Sequence, residues 1–261
     1  MAFTPGLGGT FNTVCEQYDR WRPTYVPELY RDIFAAMPVG PGSRALEVGI
    51  GTGQATLPIL QTGCAVTAVE LGDQLAAFCR DKFAHYPGFE VVNQPFEAYE
   101  GPEGSFDLAY SASAFHWVPA PIGYPKMLRL LKPGGVFARF SNHPYRDKAR
   151  EDLHQAMQAV YARYMPGVPE GAEHTEADTR AWARLAEQYG FVDTSWRLYH
   201  RTRTFTAQQY ICLLGTYSDH IAIEAQTRGR FFAELEGVIE DFGGRITLFD
   251  TLDLALARKP G

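Results

Sequence analysis

Leu46-Glu47-Val48-Gly49-Ile50-Gly51-Thr52-Gly53-Gln54 is the stretch on which the reading of the fold turns. An apolar run ends in three alternating glycines, and a helical pattern follows. That is a strand, a tight loop and a helix N-terminus in one sentence of sequence. Working outward, Arg44–Gly49 reads as a buried strand and Gln54–Leu60 as a short helix with Gly63 past its end. Ala65–Leu71 is a second strand. Asp73–His85 is a helix with Asp73 expected as its cap. Phe89–Asn93 and Phe106–Ser111 are further strands. Pro121–Leu131 is a helix closed by Lys132-Pro133-Gly134-Gly135, and Val136–Ser141 is a fifth strand. Upstream, Leu29, Tyr30, Ile33, Phe34 and Met37 recur at helical spacing over Pro27–Met37. Strands separated by helices imply βαβ units, a parallel sheet and right-handed crossovers.

The alternation stops after Asn142. Residues 143–190 read as helices and loops without a strand, and Asp178–Tyr189 is the clearest helix among them. Trp196–Phe205 resumes as a strand. Thr206-Ala207-Gln208-Gln209 has capping-box spacing, Phe231–Phe242 is helical, and Arg245–Arg258 is a last strand after the Gly243-Gly244 turn. The expected organisation is one domain over 1–261: a ligand-binding core at 11–142, a helical cap inserted at 143–190, and the remaining strands and helices of the same sheet at 191–261.

Composition bounds the function. The chain has 261 residues, 46% of them hydrophobic and 21% charged, which excludes a disordered or low-complexity protein. A net charge of −6 argues against a nucleic-acid partner. The four cysteines show no CxxC spacing, so neither a zinc site nor a disulfide framework is expected, and a reducing cytoplasm fits best. The seven histidines show no metal-ligand spacing, and no metal is expected. The N-terminus lacks a basic and an apolar region, so no signal peptide is read, and its first dozen residues are expected to be mobile. No apolar run suits a membrane span.

The glycine loop sits where open α/β sheets bind ligands, at the carboxyl ends of the strands. A dinucleotide there needs G-x-G-x-x-G/A, yet the sixth position is Gln54 counted from Gly49 and Thr56 counted from Gly51. The pattern is instead an acid followed by alternating glycines. Glu47 has no task beside an anionic phosphate, but it suits a cofactor carrying a cationic ammonium. Glu70, at the end of the second strand, can accept both hydroxyls of a ribose in either cofactor class.

Ala45 to Gly53 resembles motif I of the class I S-adenosylmethionine-dependent methyltransferases. Ser105-Phe106-Asp107-Leu108-Ala109-Tyr110-Ser111 resembles that family's fourth strand, and Leu130-Leu131-Lys132-Pro133-Gly134-Gly135-Val136-Phe137 resembles its turn into strand five. Phe115-His116-Trp117, Tyr18-Asp19-Arg20-Trp21-Arg22-Pro23-Thr24-Tyr25 and Thr216-Tyr217-Ser218-Asp219-His220 resemble the small-molecule branch that includes trans-aconitate-type enzymes. The resemblance implies an α/β, Rossmann-like, doubly wound sheet of seven strands with the last one antiparallel. It implies that Gly49, Gly51 and Gly53 lie under the methionine part of S-adenosylmethionine with Glu47 close by. Glu70 would hold the ribose and Leu71 would lie beside the adenine. Phe96 would offer its backbone amide to the adenine edge, and Ser111 its carbonyl to the cofactor's amino group. Tyr18 and Arg22 match positions that close over the cofactor, and Arg22 would pair with its carboxylate. One departure is Pro95, which stands where many relatives have Asp or Ser.

Methyl transfer from a sulfonium is an in-line displacement with an activated leaving group, so the protein mainly positions and desolvates. His116, just after the fourth strand, is the candidate base or substrate orienter. His143, Tyr145, Tyr217, Ser218 and His220 are further positions that could face a small-molecule acceptor. Arg139 is expected either to clamp an acidic substrate or to make a sheet-surface ion pair. Two other readings remain: an NAD(P)-dependent oxidoreductase on the same fold, and a non-catalytic protein that binds S-adenosylmethionine.

Overall fold

A computed structural model describes residues 15–261. The segment expected to be mobile, and the N-terminus read for a signal peptide, lie outside the described residues. The chain runs α1 (Cys15–Trp21), α2 (Pro27–Ala36), β1 (Arg44–Val48), α3 (Thr56–Leu60), β2 (Ala65–Glu70), α4 (Asp73–Lys82), β3 (Phe89–Asn93), β4 (Phe106–Ala112), α5 (Ala120–Leu130) and β5 (Leu131–Arg146). It continues through α6 (Glu151–Tyr164), α7 (Glu176–Gln188), β6 (Val192–Thr206), α8 (Ala207–Leu214), α9 (Ser218–Ile221), α10 (Ala225–Asp241) and β7 (Arg245–Arg258).

The seven strands form one sheet in the order β3-β2-β1-β4-β5-β7-β6. The pairs β1–β2, β2–β3, β1–β4 and β4–β5 are parallel. β7 is antiparallel to β5: the amide of Lys259 donates to Gly135 O at 2.8 Å, and that of Ser141 to Asp253 Oδ1 at 2.6 Å. β7 also runs against β6, because the cross-strand contacts Thr204–Thr247 and Arg201–Asp250 step in opposite directions along the two strands. The sheet is therefore the seven-stranded α/β, Rossmann-like arrangement, mostly parallel with an antiparallel end.

The chain divides into two compact units. The sheet unit comprises 23–142, 175–199 and 252–261; the helical unit comprises the described part of 1–22 with 143–174 and 200–251. In the sheet unit, one face of the strands packs Leu29, Tyr30, Ile33, Ile59, Leu108, Tyr110 and Phe140 into one apolar cluster. The other face packs Leu46, Val48, Phe115, Tyr124, Met127 and Phe137 into a second. The alternation of strand side chains sends neighbouring residues to opposite faces and makes both clusters necessary. The helical unit has its own core, built from Leu153, Met157, Val160, Leu214, Phe231, Leu235 and Ile239.

The insertion expected at 143–190 splits between these units. β5 runs on through Arg146, so the segment opens as strand. α7 belongs to the sheet unit, because its Ala186 and the following Phe191 are buried in the second sheet cluster. Two smaller expectations also shift. Asp73 is the first residue of α4 rather than its cap, a position held by Gly72. The helix expected from Gln54 begins only at Thr56, because Gly51 and Gly53 adopt positive φ and hold the preceding residues in a turn.

Candidate functional site

The glycine loop of the sheet unit is a tight turn that carries two buried acids at its base. Gly49 has φ +73° and Gly53 φ +83°, a region that side chains oppose. A Cβ on Gly49 would meet Ala114 Cβ at 2.4 Å, and one on Gly53 would meet the Phe83 ring at 2.4 Å. These glycines are required by conformation and packing together. The amide of Gly49 donates to Val69 O at 2.9 Å, which ties the loop to the end of β2. Lys82 Nζ donates to Thr52 O at 2.9 Å and holds the loop from α4.

Glu47 lies at the end of β1 and is 1% exposed. Thr56 Oγ1 and Tyr110 OH donate to its Oε2 at 2.7 and 2.8 Å. Its Oε1 is buried with no partner. Burial pushes the carboxyl up to about 8, with the two hydroxyls opposing and Glu70 adding to the rise. Among the described residues, no cationic side chain lies within ion-pair distance of it.

Glu70 closes β2 and is also buried. Its two oxygens accept from the amides of Gly72 at 2.9 Å and Gly51 at 3.0 Å. Burial raises its carboxyl, and those backbone bonds oppose the rise. The residue expected to receive a ribose thus also fixes the loop. Leu71 is 55% exposed, an apolar side chain left open beside these acids in the chain. Phe96 is buried in a 3₁₀ turn at Phe96–Ala98, following Pro95. Lys126 on α5, itself buried, sequence reasoning did not find; it donates to Phe96 O, Glu97 O and Tyr99 O and sets that turn. Ser111, fully buried on β4, donates to Val48 O at 2.7 Å. Two positions on, Ser113 holds φ +53° and its hydroxyl lies 2.9 Å from Tyr25 OH, a strained non-glycine residue where β4 ends. His116 follows in the turn Phe115–Trp117 and is exposed, while Phe115 beside it is buried.

Arg139 is neither on the sheet surface nor ion-paired. It is 7% exposed, its guanidinium lies 3.4 Å from the Trp182 ring centroid, and Nη1 donates to Tyr124 OH at 3.2 Å.

Tyr18 and Arg22 belong to the helical unit. Arg22 donates to Thr216 Oγ1 at 2.9 Å and Thr216 O at 2.7 Å. Its guanidinium lies between the Tyr18 and Tyr217 rings, 4.9 and 4.2 Å from their centroids. His220 is buried, with Nδ1 2.8 Å from Asp219 Oδ1 and Nε2 3.0 Å from Tyr161 OH. His143 and His174, far apart in sequence, stack at 3.7 Å. Of the positions read from sequence, Glu47, Gly49, Gly51, Gly53, Glu70, Leu71, Phe96, Ser111 and His116 share the sheet unit; Tyr18 and Arg22 do not.

With this geometry in view, residues 46–139 match the methyltransferase-domain family. The match covers the glycine loop and both acids. An uncharacterized methyltransferase of Mycobacterium tuberculosis is 29% identical over 126 residues, 48% of this chain and 49% of the relative. The chain therefore spans about half the length of the first curated relatives it matches. A demethylmenaquinone methyltransferase of Tropheryma whipplei is 28% identical over 207 residues, 72% of this chain and 84% of the relative. Among solved structures, phosphoethanolamine N-methyltransferase 2 of Haemonchus contortus, bound to S-adenosylhomocysteine, shares the fold. Its TM-score is 0.54 at 15% identity, over 96% of this chain and 58% of that one. Among the described residues, no helix is long and apolar enough to cross a membrane.

Proposed function

We propose that the protein transfers a methyl group from S-adenosylmethionine to a small-molecule acceptor. The observation that carries this reading is the empty oxygen of Glu47. A buried carboxyl with one oxygen unpartnered, beneath a turn of glycines and with no cation beside it, fits a ligand that brings its own positive charge. S-Adenosylmethionine carries an ammonium and a sulfonium. A dinucleotide would bring anionic phosphates to two buried acids.

Glu47, Gly49, Gly51 and Gly53 would hold the methionine part, Glu70 the ribose, and Leu71, Phe96 and Ser111 the adenine and amino groups. When bound, the cofactor supplies an activated methyl on a sulfonium. The chain's part is to fix the acceptor in line, exclude water and, where the accepting atom carries a proton, take it. His116, exposed after β4, is the candidate for that last role in the sheet unit. The motif likenesses to the trans-aconitate-type branch, and relatives such as the demethylmenaquinone enzyme, support a small-molecule acceptor. A cytoplasmic location accords with four scattered cysteines that lack the spacing of a disulfide framework.

Isothermal titration separates the readings. S-Adenosylmethionine and S-adenosylhomocysteine are expected to bind with micromolar affinity and NAD(P) not at all. Binding of NAD(P) alone would overturn the proposal in favour of the oxidoreductase. Binding of S-adenosylmethionine with no methyl transferred to any metabolite tested would favour the non-catalytic reading.

A further inference from the structure

The sheet unit buries a lysine, Lys126 on α5, and its ammonium is directed to one turn of backbone. A lysine usually covers apolar surface with its stem and keeps its head in water. Lys126 is only 9% exposed. Its Nζ donates to Phe96 O at 3.2 Å, Glu97 O at 2.7 Å and Tyr99 O at 2.8 Å. An ammonium has three hydrogens, and three carbonyls of the turn after β3 take them. Glu100 Oε1 stands farther off at 3.4 Å, on a side chain that is 71% exposed. The turn itself lies at the surface, with Pro95, Glu97 and Ala98 exposed. Water would satisfy carbonyls in such a place. Desolvating an ammonium to bind them does something water does not, which is to fix their direction.

Direction matters because a peptide group is planar, so a C=O and the N–H that follows it point opposite ways. With Glu97 O on Lys126, the Ala98 amide is turned the other way and donates to Pro95 O at 3.0 Å. With Pro95 O held there, the Phe96 amide is turned away from Ala98. Phe96 O is fixed twice, by Lys126 and by the Tyr99 amide at 3.1 Å. The ammonium thus sets the Phe96 N–H through a chain of rigid planes. Among the described residues, that N–H meets no acceptor. The Phe96 ring anchors the turn from the other side, 6.4 Å from the Tyr99 ring and 6.5 Å from that of Phe115. Asn93, two residues before Pro95, donates from Nδ2 to Glu70 O at 2.9 Å and Leu71 O at 3.1 Å. Glu70, the exposed Leu71 and the Phe96 turn therefore lie together at the carboxyl ends of β2 and β3, where open α/β sheets take ligands.

We infer that Lys126 is a positioning residue for the base of the cofactor: by fixing these planes it aims the Phe96 amide at N1 of adenine and so sets the preference for adenine over hypoxanthine. The inference rests on the proposed placement of adenine beside Phe96. Pro95 sharpens the demand on the backbone, since its side chain offers neither donor nor acceptor to the base. Adenine N1 carries a lone pair and accepts from the amide. Hypoxanthine carries a hydrogen at N1, so two donors would face each other. Lys126 acts on the base through Phe96 and not by touching it.

The experiment is isothermal titration of the full chain with S-adenosylhomocysteine and S-inosylhomocysteine, which differ only in the base. The wild type is expected to prefer the adenine compound by ~10-fold or more, the weight of a donor left facing a donor. Lys126→Met keeps the apolar stem and removes the ammonium. Its preference is expected to fall to within about threefold, chiefly through weaker binding of S-adenosylhomocysteine. A lysine that only stabilised the fold would weaken both compounds alike and leave their ratio unchanged. Should Lys126→Met not fold, Lys126→Gln takes its place; with two donors for three carbonyls it is expected to show a preference between the two. Independently of affinity, S-adenosylhomocysteine is expected to shift the Phe96 amide proton downfield and slow its exchange in the wild type, with a smaller effect in the variant. A wild-type preference below about threefold, a ratio unchanged by the substitution, or a Phe96 amide unmoved by the ligand would each overturn the inference while cofactor binding stands. Failure of S-adenosylhomocysteine to bind the wild type would instead overturn the methyl-transfer reading beneath it.

Discussion

The two units of the molecule treat buried acids in opposite ways. In the helical unit, the buried Asp250 and the partly exposed Asp219 meet a cation or an imidazole. Asp250, with no exposed side-chain surface, lies within 3.0 Å of Arg201 and is also bound by Arg203, while Asp219 is held by His220. In the sheet unit, Glu47 and Glu70 have only hydroxyls and backbone amides around them. Amides and hydroxyls satisfy lone pairs but do not cancel charge. The acids of the helical unit are therefore charge-compensated as they stand, whereas the buried carboxyls of the sheet unit have no counter-cation, and a cationic ligand would favour their ionised form.

The largest effect should come from breaking the compensated side. Asp250→Ala leaves two guanidiniums, only 23% and 15% exposed, facing each other without a counter-charge. Removing one partner of a buried pair costs about 3–5 kcal/mol. Urea denaturation should show a loss of that size, with cofactor affinity in the surviving folded protein little changed. A loss below about 1 kcal/mol would mean that water reaches the pair and that the contrast between the units is one of geometry only.

Much of the sheet unit was legible because its signals are local. The glycines and Glu47 sit within seven residues, and strand periodicity places β1 to β5 in order. The turn at Lys132–Gly135 marks the start of the fifth strand's apolar run. What sequence did not show is what depends on distant pairs. Tyr161 and His220 are 59 positions apart, Lys126 and Phe96 are 30 apart, and Arg22 reaches Thr216 across 194. None of these has a spacing rule, because the fold rather than the chain makes them neighbours. Arg139 was misread for the same reason. An arginine inside a strand suggests an exposed ion pair, and only the packing of α7 over that face supplies Trp182 as the alternative partner. The boundary of the helical insertion failed similarly, since α7 has the pattern of any amphipathic helix and its destination is set by which apolar cluster it completes.

Glu47 sharpens the other side of the comparison. Its carboxyl sits at about 8 in the folded protein, because burial penalises the charge, against an ordinary value of 4.5. A group raised on folding contributes stability that is full below the lower value and is lost as pH rises through the higher one. The empty protein should therefore lose about 2 kcal/mol between pH 6 and pH 8 from this group, at about 1.4 kcal/mol per pH unit before the transition levels off. Glu47→Gln keeps the shape and removes the ionisation, so its denaturation midpoint should fall less over the same window. Cofactor binding should run the other way. A cationic ligand favours the ionised carboxylate, so wild-type affinity for S-adenosylhomocysteine should tighten from pH 6 to pH 8, and the variant should show less of that gain. Parallel pH profiles for the two proteins would mean that some other group neutralises Glu47.

Arg139 offers the smallest effect and the finest test of whether the sheet unit tolerates uncompensated charge. Its guanidinium is nine-tenths buried and, among the described residues, has no carboxylate partner. It is held by one hydrogen bond to Tyr124 and by the face of Trp182. A desolvated cation–π contact contributes about 2 kcal/mol, and a hydrogen bond to a charged group about 1.5–3. Against these stands a desolvation cost of several kcal/mol for the ion. The two sides nearly cancel. Arg139→Met, which keeps a long apolar stem against Trp182, should therefore sit within about 1 kcal/mol of wild type, whereas Arg139→Ala should lose more through the unfilled space. If the methionine variant lost more than about 3 kcal/mol, the guanidinium would have to be compensated more fully than Tyr124 and Trp182 allow. The sheet unit would then be charge-compensated on that face, as the acids of the helical unit are, leaving the acids beneath the glycine loop as the place where the contrast still holds.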